Sequence, residues 1–221
     1  LAITTTSVDY SSGSTPNIDP GEAGSFVGDP KLLTRTDANV APSFQRNLLC
    51  EATCWNPNNV PSDPNFSCPS DPDTPVDPGD QVTSEFLDCI CGENQWKGHC
   101  GAGNEQGIEG AWLALCRATE NPPDECFELE DPGGGGTRDT QISASDAGSN
   151  DGFLREGATT LVVIVTDEGD GSPRVADGDA DISPYLDLFG KMPSPVRFAV
   201  IGPPYHDREL NCNSGGATTW G

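Results

Sequence analysis

Three apolar segments of the chain have the composition of β-strands. Leu1–Val8 and Thr159–Val165 are rich in β-branched residues, and Val196–Ile201 is an apolar run that ends at Gly202. β-Branched side chains favour strands, and a continuous apolar run between turn residues is typical of a strand that is buried on both faces. We therefore expect Thr159–Val165 and Val196–Ile201 to form the core of a sheet, with Leu1–Val8 as a further buried strand.

Four other segments carry apolar residues at helical spacing and have a capping or terminating residue: Val40–Cys50, Ser84–Cys91, Glu105–Ala118 and Ser183–Phe189. Asn104 and Ser84 are suitable N-caps, and Gly190 is a suitable stop. Because strands and helices alternate along the chain, the sequence predicts an α/β fold in which helices flank a mostly parallel sheet.

The remaining segments are rich in Pro, Gly, Asp and Ser, which indicates loops. Pro61–Asp80 has too few apolar residues to pack a core, and we interpret it as an inserted surface loop. Gly133–Gly136 lacks the Lys and Ser/Thr of a phosphate-binding loop, so we interpret it as a linker. We predict a single domain over residues 1–221 that contains a disulfide- and Pro/Asp-rich insertion at residues 50–100.

The chain has 221 residues, of which 34% are hydrophobic, and a formal net charge of −24. This length is sufficient to bury a core, but the composition indicates long irregular segments around it. A charge of this sign and size repels nucleic acid and anionic membranes, so neither is expected as a partner. The carboxylates either attract divalent cations or only keep the chain soluble.

The cysteines are concentrated in a span that is poor in apolar residues, with one exception near the end of the chain: Cys50, Cys54, Cys68, Cys89, Cys91, Cys100, Cys116, Cys126 and Cys212. Disulfides replace a core where apolar residues are few, and they persist only in an oxidising compartment. We therefore expect disulfides and a secreted or cell-surface protein. The alternative is a zinc site at Cys89, Cys91, His99 and Cys100, although the regularly spaced cysteine pairs of most zinc sites are absent.

Neither end of the chain has the features of a complete polypeptide. Leu1 lies within a strand-like segment without an initiator Met or a signal peptide, and the chain stops at Gly221. The longest apolar run, Leu161–Val165, is too short to cross a bilayer. We expect a portion of a longer polypeptide, with no membrane insertion in this segment.

The loop that follows the strand Thr159–Val165 is acidic. Thr166–Ser172 carries Asp167, Glu168 and Asp170 together with two hydroxyl side chains. In open parallel sheets ligands bind beyond the carboxyl ends of the strands, and oxygen ligands of this kind suit Mg²⁺ or Ca²⁺. Either this loop contributes to a site for a divalent cation, or it is a solvated turn.

Four stretches of the sequence carry a family pattern. Asn150–Arg155, with the form Asn-x-x-Phe-Leu-Arg, leads into Leu161–Ser172, which contains Thr-Asp-Glu-x-Asp-x-Ser. Leu1–Thr6 is an apolar run that ends in Thr-Thr, Gly101–Ala111 is a Gly-rich turn followed by Glu-Gln and a helix, and Val196–Pro203 is a strand that ends in Ile-Gly-Pro. In this order they resemble a von Willebrand factor A (VWA)-like family of bacterial surface and secreted proteins.

The resemblance implies a Rossmann-like, VWA-type sheet with a metal-ion-dependent adhesion site at its carboxyl edge, and a domain that is incomplete at both ends. Asp167 matches the acidic ligand of the third loop of such sites, and Asp170 and Glu105 are further candidate ligands. Gly103 stands where the second loop has a Thr ligand. The Asp-x-Ser-x-Ser of the first loop has no full match, since its place in the family order is before Leu1. The implied cofactor is a divalent cation, Mg²⁺ or Ca²⁺.

Other candidate sites have less specific patterns. Asp71–Asp80 has the alternating acidic residues of a calcium loop, but Val76 stands where the turn needs Gly, so we prefer a solvated loop. Asn65-Phe66-Ser67 matches the acceptor pattern for N-glycosylation. The catalytic patterns Gly-x-Ser-x-Gly and His-Glu-x-x-His are absent, and we expect that the chain is not an enzyme.

Three functions are compatible with these features, in order of preference. An extracellular adhesion module would bind a protein or glycan ligand through the metal-assisted edge of the sheet. A structural module, bound to other subunits of a surface assembly, would keep the fold with a degenerate metal site, as Gly103 suggests. A secreted hydrolase would use carboxylates around Asp167 and Glu168.

Overall fold

A computed structural model describes residues 1–6, 8, 23–53, 55, 58–70, 75–79, 81–93, 95–96, 106–127, 142–166, 172 and 182–201. The helices and strands are, in chain order, α1 (Val40–Arg46), a π-helical segment (Asn47–Ala52), α2 (Ser84–Cys91), α3 (Gly107–Arg117), two 3₁₀ turns (Asp124–Cys126 and Ala144–Asp146), β1 (Thr160–Val165), α4 (Ser183–Phe189) and β2 (Val196–Ile201). The four predicted helices and the two predicted core strands are therefore confirmed.

Strands β1 and β2 form a parallel pair, and α4 lies between them in the sequence. The strands pair in register from Thr160 opposite Val196 to Val165 opposite Ile201. Parallel neighbours need a crossover connection, which here contains a helix. The mixed α/β class is confirmed, with a two-stranded sheet in the part of the chain that the structure describes. The larger Rossmann-like, VWA-type sheet stays a prediction.

Over its described residues, the predicted strand Leu1–Val8 is not a sheet strand. Its described residues make one isolated antiparallel bridge, between Ile3 and Val27. The Leu1 ammonium donates to the carbonyl of Leu33 at 2.7 Å, and the Leu33 amide donates back to the carbonyl of Leu1 at 2.8 Å. Strand propensity reflects fit to a neighbouring pleated surface, and these isolated contacts do not extend into a ladder.

The expectation that β1 is buried on both faces is wrong for its described residues. Ile164 is only 9% exposed, whereas Leu161, Val163 and Val165 are 60%, 47% and 65% exposed. Side chains alternate between the two faces of a strand, so one face of β1 is covered and the other is open. The apolar run alone did not reveal this difference, because both faces carry apolar residues.

Helix α3 forms the centre of the main hydrophobic core. Every residue from Glu109 to Arg117 is buried. Trp112 packs edge-on against Phe189 of α4, with ring centroids 5.8 Å apart, and Phe189 packs against Phe198 of β2 at 4.7 Å. Full burial of an apolar side chain of this kind contributes about 1.5–3 kcal/mol. The contacts of α3 with α4 and the sheet therefore account for much of the core.

A second hydrophobic cluster surrounds α2. Phe86, Leu87 and Trp96 are buried in it. The cap of α2 is Thr83, whose hydroxyl accepts a hydrogen bond from the Phe86 amide at 3.3 Å. Ser84, the predicted cap, is instead the first residue of the helix.

As expected, disulfide bonds join the six cysteines in the part of the chain that the structure describes: Cys50–Cys91, Cys68–Cys89 and Cys116–Cys126. The alternative zinc site is wrong, because Cys89 and Cys91 are both in disulfides. Cys54, Cys100 and Cys212 lie outside the described residues.

The carboxylate of Glu85, in the first turn of α2, forms hydrogen bonds with Ser62 and Asp63 in the segment before the helix. It accepts hydrogen bonds from the Ser62 hydroxyl at 2.5 Å and the Asp63 amide at 2.7 Å. These bonds lower the pKa of Glu85 from 4.5 to about 2, with the Ser62 hydroxyl as the largest cause. Because the folded-state pKa lies below the unfolded one, the carboxylate stabilises the fold above pH 4.5, and this contribution is lost as the pH falls towards 2.

We expect the Glu85→Gln variant to melt at a lower temperature than the unsubstituted chain at pH 6, and the difference to disappear by about pH 2. Thermal unfolding at a series of pH values measures it. Glu93→Gln is the matched control, because Glu93 is exposed and lies just beyond the same helix. A difference that persists at pH 2, or an equal effect of the control, would contradict this role.

Candidate functional site

The predicted ligand site lies at the edge where β1 and β2 both end. The amide of Thr166, the residue after β1, donates to the carbonyl of Ile201 at 3.0 Å. This continues the pairing of the two strands to their carboxyl ends, where ligands bind in open α/β sheets. The candidate metal ligands Asp167, Asp170 and Glu105 all lie outside the described residues.

Ser172 connects the loop after β1 to the first turn of α3. It is 2% exposed, and its hydroxyl accepts a hydrogen bond from the Glu109 amide at 3.0 Å. The first amides of a helix have no intrahelical partner, so a hydroxyl at this position acts as a cap supplied from a distant part of the chain. The last residue of the Thr-Asp-Glu-x-Asp-x-Ser pattern therefore has a structural role.

The segment 1–6 also contacts the start of α3. The Gln106 amide donates to the carbonyl of Thr6 at 3.0 Å. A Cβ atom at Gly110 would lie 2.9 Å from the carbonyl oxygen of Thr5, which explains why a residue without a side chain stands there. Parts of three family-like stretches, around Thr6, Gln106 and Ser172, thus meet at one helix end.

Glu109 is a buried carboxylate that the sequence interpretation missed. It is 0% exposed, and its Oε2 accepts a hydrogen bond from the Tyr185 hydroxyl at 2.5 Å. Its place in the first turn of α3 suits the positive end of the helix dipole. Helical spacing does provide a signal, because Glu109 lies three and seven residues before the core residues Trp112 and Cys116.

The side-chain amide of Gln106 is fully buried next to this turn. In the described part of the chain, neither its Nε2 nor its Oε1 has a hydrogen-bond partner, and the same holds for the hydroxyl of Thr4. A buried polar atom without a partner costs about 1–3 kcal/mol. Near the start of α3, some buried polar atoms therefore have no hydrogen-bond partner among the described residues.

The described residues do not by themselves fit a divalent cation. Among them, no group of three or more His, Cys, Asp or Glu side chains is placed to hold a metal ion. Neutral oxygens from Gln106 and Ser172 are weak ligands without carboxylates. A cation at this edge therefore depends on Asp167, Asp170 and Glu105, and it stays a prediction.

Asn150 and Phe153, the first and last residues of the Asn-x-x-Phe pattern, have a structural role near the C-terminal half of α3. Asn150 is 4% exposed, and its amide donates to the carbonyls of Gly24 at 2.9 Å and Ala114 at 3.2 Å. Its oxygen accepts from the Phe26 amide at 3.1 Å, and Phe153 packs against the Phe26 ring at 5.0 Å. These contacts fix residues 23–26 against α3.

Two further candidates are exposed turns. Within Asp71–Asp80, Asp77 accepts a hydrogen bond from the Gly79 amide at 2.9 Å, a local turn contact, while Asp71, Asp73 and Asp80 lie outside the described residues. Asn65, in the glycosylation pattern, is exposed.

The fold and the disulfides define a disulfide-bonded protein of mixed α/β class. No family model, no curated protein and no solved structure matches this chain. Within the described residues, no helix has the length and apolar character needed to cross a membrane.

We expect Tyr185→Phe to destabilise the fold by about 1–3 kcal/mol, because it removes a donor from the buried Glu109 carboxylate. Urea unfolding measures this change. In a Glu109→Gln background the same substitution should cost less, because the buried charge is gone. A loss below about 0.5 kcal/mol, typical of surface substitutions, would contradict the importance of this pair.

Proposed function

We propose that this chain is a secreted or cell-surface binding module of VWA-like type. It binds a protein or glycan ligand at the carboxyl edge of β1 and β2, with Mg²⁺ or Ca²⁺ as the expected cofactor. The proposal depends on one observation: Gln106 and Ser172 both lie at the start of α3. These two residues are the neighbours of the loops that contain the candidate metal ligands. There the Ser172 hydroxyl accepts a hydrogen bond from the Glu109 amide at 3.0 Å.

The parallel pairing of β1 and β2 supports the choice of this edge. Both strands run in the same direction over six residue pairs, so both of their following loops leave at the same end. Asp167 and Asp170 belong to the loop after β1, and Glu105 directly precedes Gln106 at the cap of α3. Ligands converge at such edges in open α/β sheets.

The disulfides support a location outside the cytoplasm, and the net charge bears on the class of partner. Three disulfides are compatible with an oxidising compartment. A net charge of −24 disfavours nucleic acid and anionic membranes as partners, which leaves a protein or a glycan.

A structural module of a surface assembly is the second candidate. It is favoured by two internal hydrogen bonds, from the Glu109 amide to the Ser172 hydroxyl and from the Tyr185 hydroxyl to the Glu109 carboxylate. In these bonds the polar groups hold α3 in place and do not bind a ligand. In this case the family-like residues keep the fold and the metal site is degenerate. The two candidates differ in whether a cation stabilises the chain.

We expect Mg²⁺ or Ca²⁺ to raise the melting temperature of the chain relative to a chelator, and Asp167→Ala to abolish the increase. A ligand at about 100 times its dissociation constant adds about 2.7 kcal/mol, which corresponds to several degrees. The measurement is thermal unfolding in chelator, Mg²⁺, Ca²⁺ and Mn²⁺.

Asp187→Ala is the matched control, because Asp187 is an exposed carboxylate on α4. The proposal predicts that this variant retains the full response to cations. A chain that does not respond to any cation, or an equal loss in both variants, would contradict the metal-assisted site and favour the structural module.

A further inference from the structure

The three described disulfides differ in how far solvent reaches their sulfur atoms. Two of them lie in the hydrophobic clusters, where all four cysteines are buried: Cys50–Cys91 and Cys116–Cys126. In the third, Cys68 is exposed and Cys89 is half-buried. A thiolate must reach one of the two sulfurs to reduce a disulfide, so access limits the rate. Of these three bonds, Cys68–Cys89 is therefore the one that a thiol in solution reaches without unfolding the protein.

The Cys68–Cys89 bond connects the Pro/Asp-rich segment Pro61–Asp80 to helix α2. The two cysteines are 21 residues apart in the sequence, and Cys89 lies within the helix. The helix is held by its own backbone hydrogen bonds, which do not involve the disulfide. Opening the bond therefore releases Cys68 from α2 and leaves the helix in place.

Non-covalent contacts hold the segment on the N-terminal side of Cys68. The ring of Phe66 packs edge-on against Phe86, with the ring centroids 5.9 Å apart, and Phe86 is buried. The hydrogen bonds of the Glu85 carboxylate hold the residues just before Phe66. These contacts do not depend on the disulfide.

A second contact holds the segment on the C-terminal side of Cys68. The side-chain amide of Gln45 donates to the carbonyl of Val76 at 2.6 Å, and its oxygen accepts from the Val76 amide at 2.9 Å. Because both flanks stay attached, the Cys68 and Cys89 thiols stay close together after reduction. A short separation favours closure, so the bond can form again.

The charge around this disulfide has one sign. Residues 47–96 contain no Lys, Arg or His, and the charged residues of this stretch are all acidic: Glu51, Asp63, Asp71, Asp73, Asp77, Asp80, Glu85, Asp88 and Glu93. A negative field lowers the local concentration of anions, and salt screens this effect. Cationic and neutral thiols therefore approach the bond more readily than anionic thiols.

We propose that Cys68–Cys89 is a redox-sensitive switch, which a cationic or neutral thiol opens while the other two described disulfides stay closed. The thiolate attacks Sγ of Cys68 and forms a mixed disulfide, and Cys89 leaves as a thiolate that takes up a proton. A second thiolate attacks the reagent's sulfur in the mixed disulfide and releases Cys68. The protein disulfide is reduced to two thiols, and two thiol molecules are oxidised to one disulfide. This switch does not depend on the proposed ligand site.

Graded reduction with cysteamine, a cationic thiol, tests which bond opens first. Free thiols of the complete chain are blocked with N-ethylmaleimide before reduction, and the new thiols are labelled with iodoacetamide and located by peptide mass mapping. We expect label at Cys68 and Cys89 at a cysteamine concentration at least about tenfold lower than at the four buried cysteines. Label at a buried pair at the same or a lower concentration would overturn the proposal.

The double variant Cys68→Ser, Cys89→Ser tests whether the opening is local. Loss of a disulfide lowers stability, so this variant should melt at a lower temperature than the unsubstituted chain, still in one cooperative transition. Low cysteamine should lower the melting temperature of the unsubstituted chain to that of the variant, and should not change the variant. Loss of the cooperative transition as soon as this bond opens would contradict a local switch.

Thiols of different charge test the role of the acidic stretch. At equal thiolate concentration and low salt, cysteamine should open the bond at least about threefold faster than 3-mercaptopropionate, with neutral 2-mercaptoethanol between them. The differences should shrink in about 1 M salt. Oxidised 2-mercaptoethanol, an uncharged disulfide, is the control for the intrinsic reactivity of each thiol. The same order of rates for the control and for Cys68–Cys89 would overturn the selection by charge.

Discussion

The burial of helix α3 from Glu109 to Arg117 is the constraint on which the rest of the structure depends. The amides near the start of this buried stretch have no intrahelical partner, so other parts of the chain must pair them. Ser172 and the segment that ends at Thr6 provide these partners. At the other end, Arg117 donates to the carbonyl of Ala23 at 2.8 Å. Segments that are distant in sequence are therefore fixed to one helix.

This arrangement separates two surfaces with different chemistry. The carboxyl edge of β1 and β2 lies near polar groups at the start of α3, and the acidic loop after β1 begins there at Thr166. The face of the sheet that carries Leu161, Val163 and Val165, in contrast, is apolar apart from Arg197. The proposed cation site needs oxygen ligands, which the polar edge can offer and the apolar face cannot.

The sequence predicted the positions of the helices and strands better than the contacts between them. Apolar runs and terminators located β1, β2 and α4, because these depend on local propensity and turn chemistry. The pattern of Leu1–Val8 was equally strand-like, but pairing requires a neighbour that local sequence does not specify. Composition predicted the disulfides and not their pairing, which depends on the fold. The roles of Ser172 and Asn150 rest on contacts over 63 and up to 126 residues, which no local pattern contains.

Native-state hydrogen exchange can show whether helix α3 holds the molecule together. Amides in the core of a fold exchange only through global unfolding, while peripheral elements open separately. We expect the amides of Leu113–Arg117 to exchange more slowly than those of the β1–β2 ladder, at a rate set by global unfolding. Faster exchange in α3 than in the strands, through an opening of the helix alone, would contradict it.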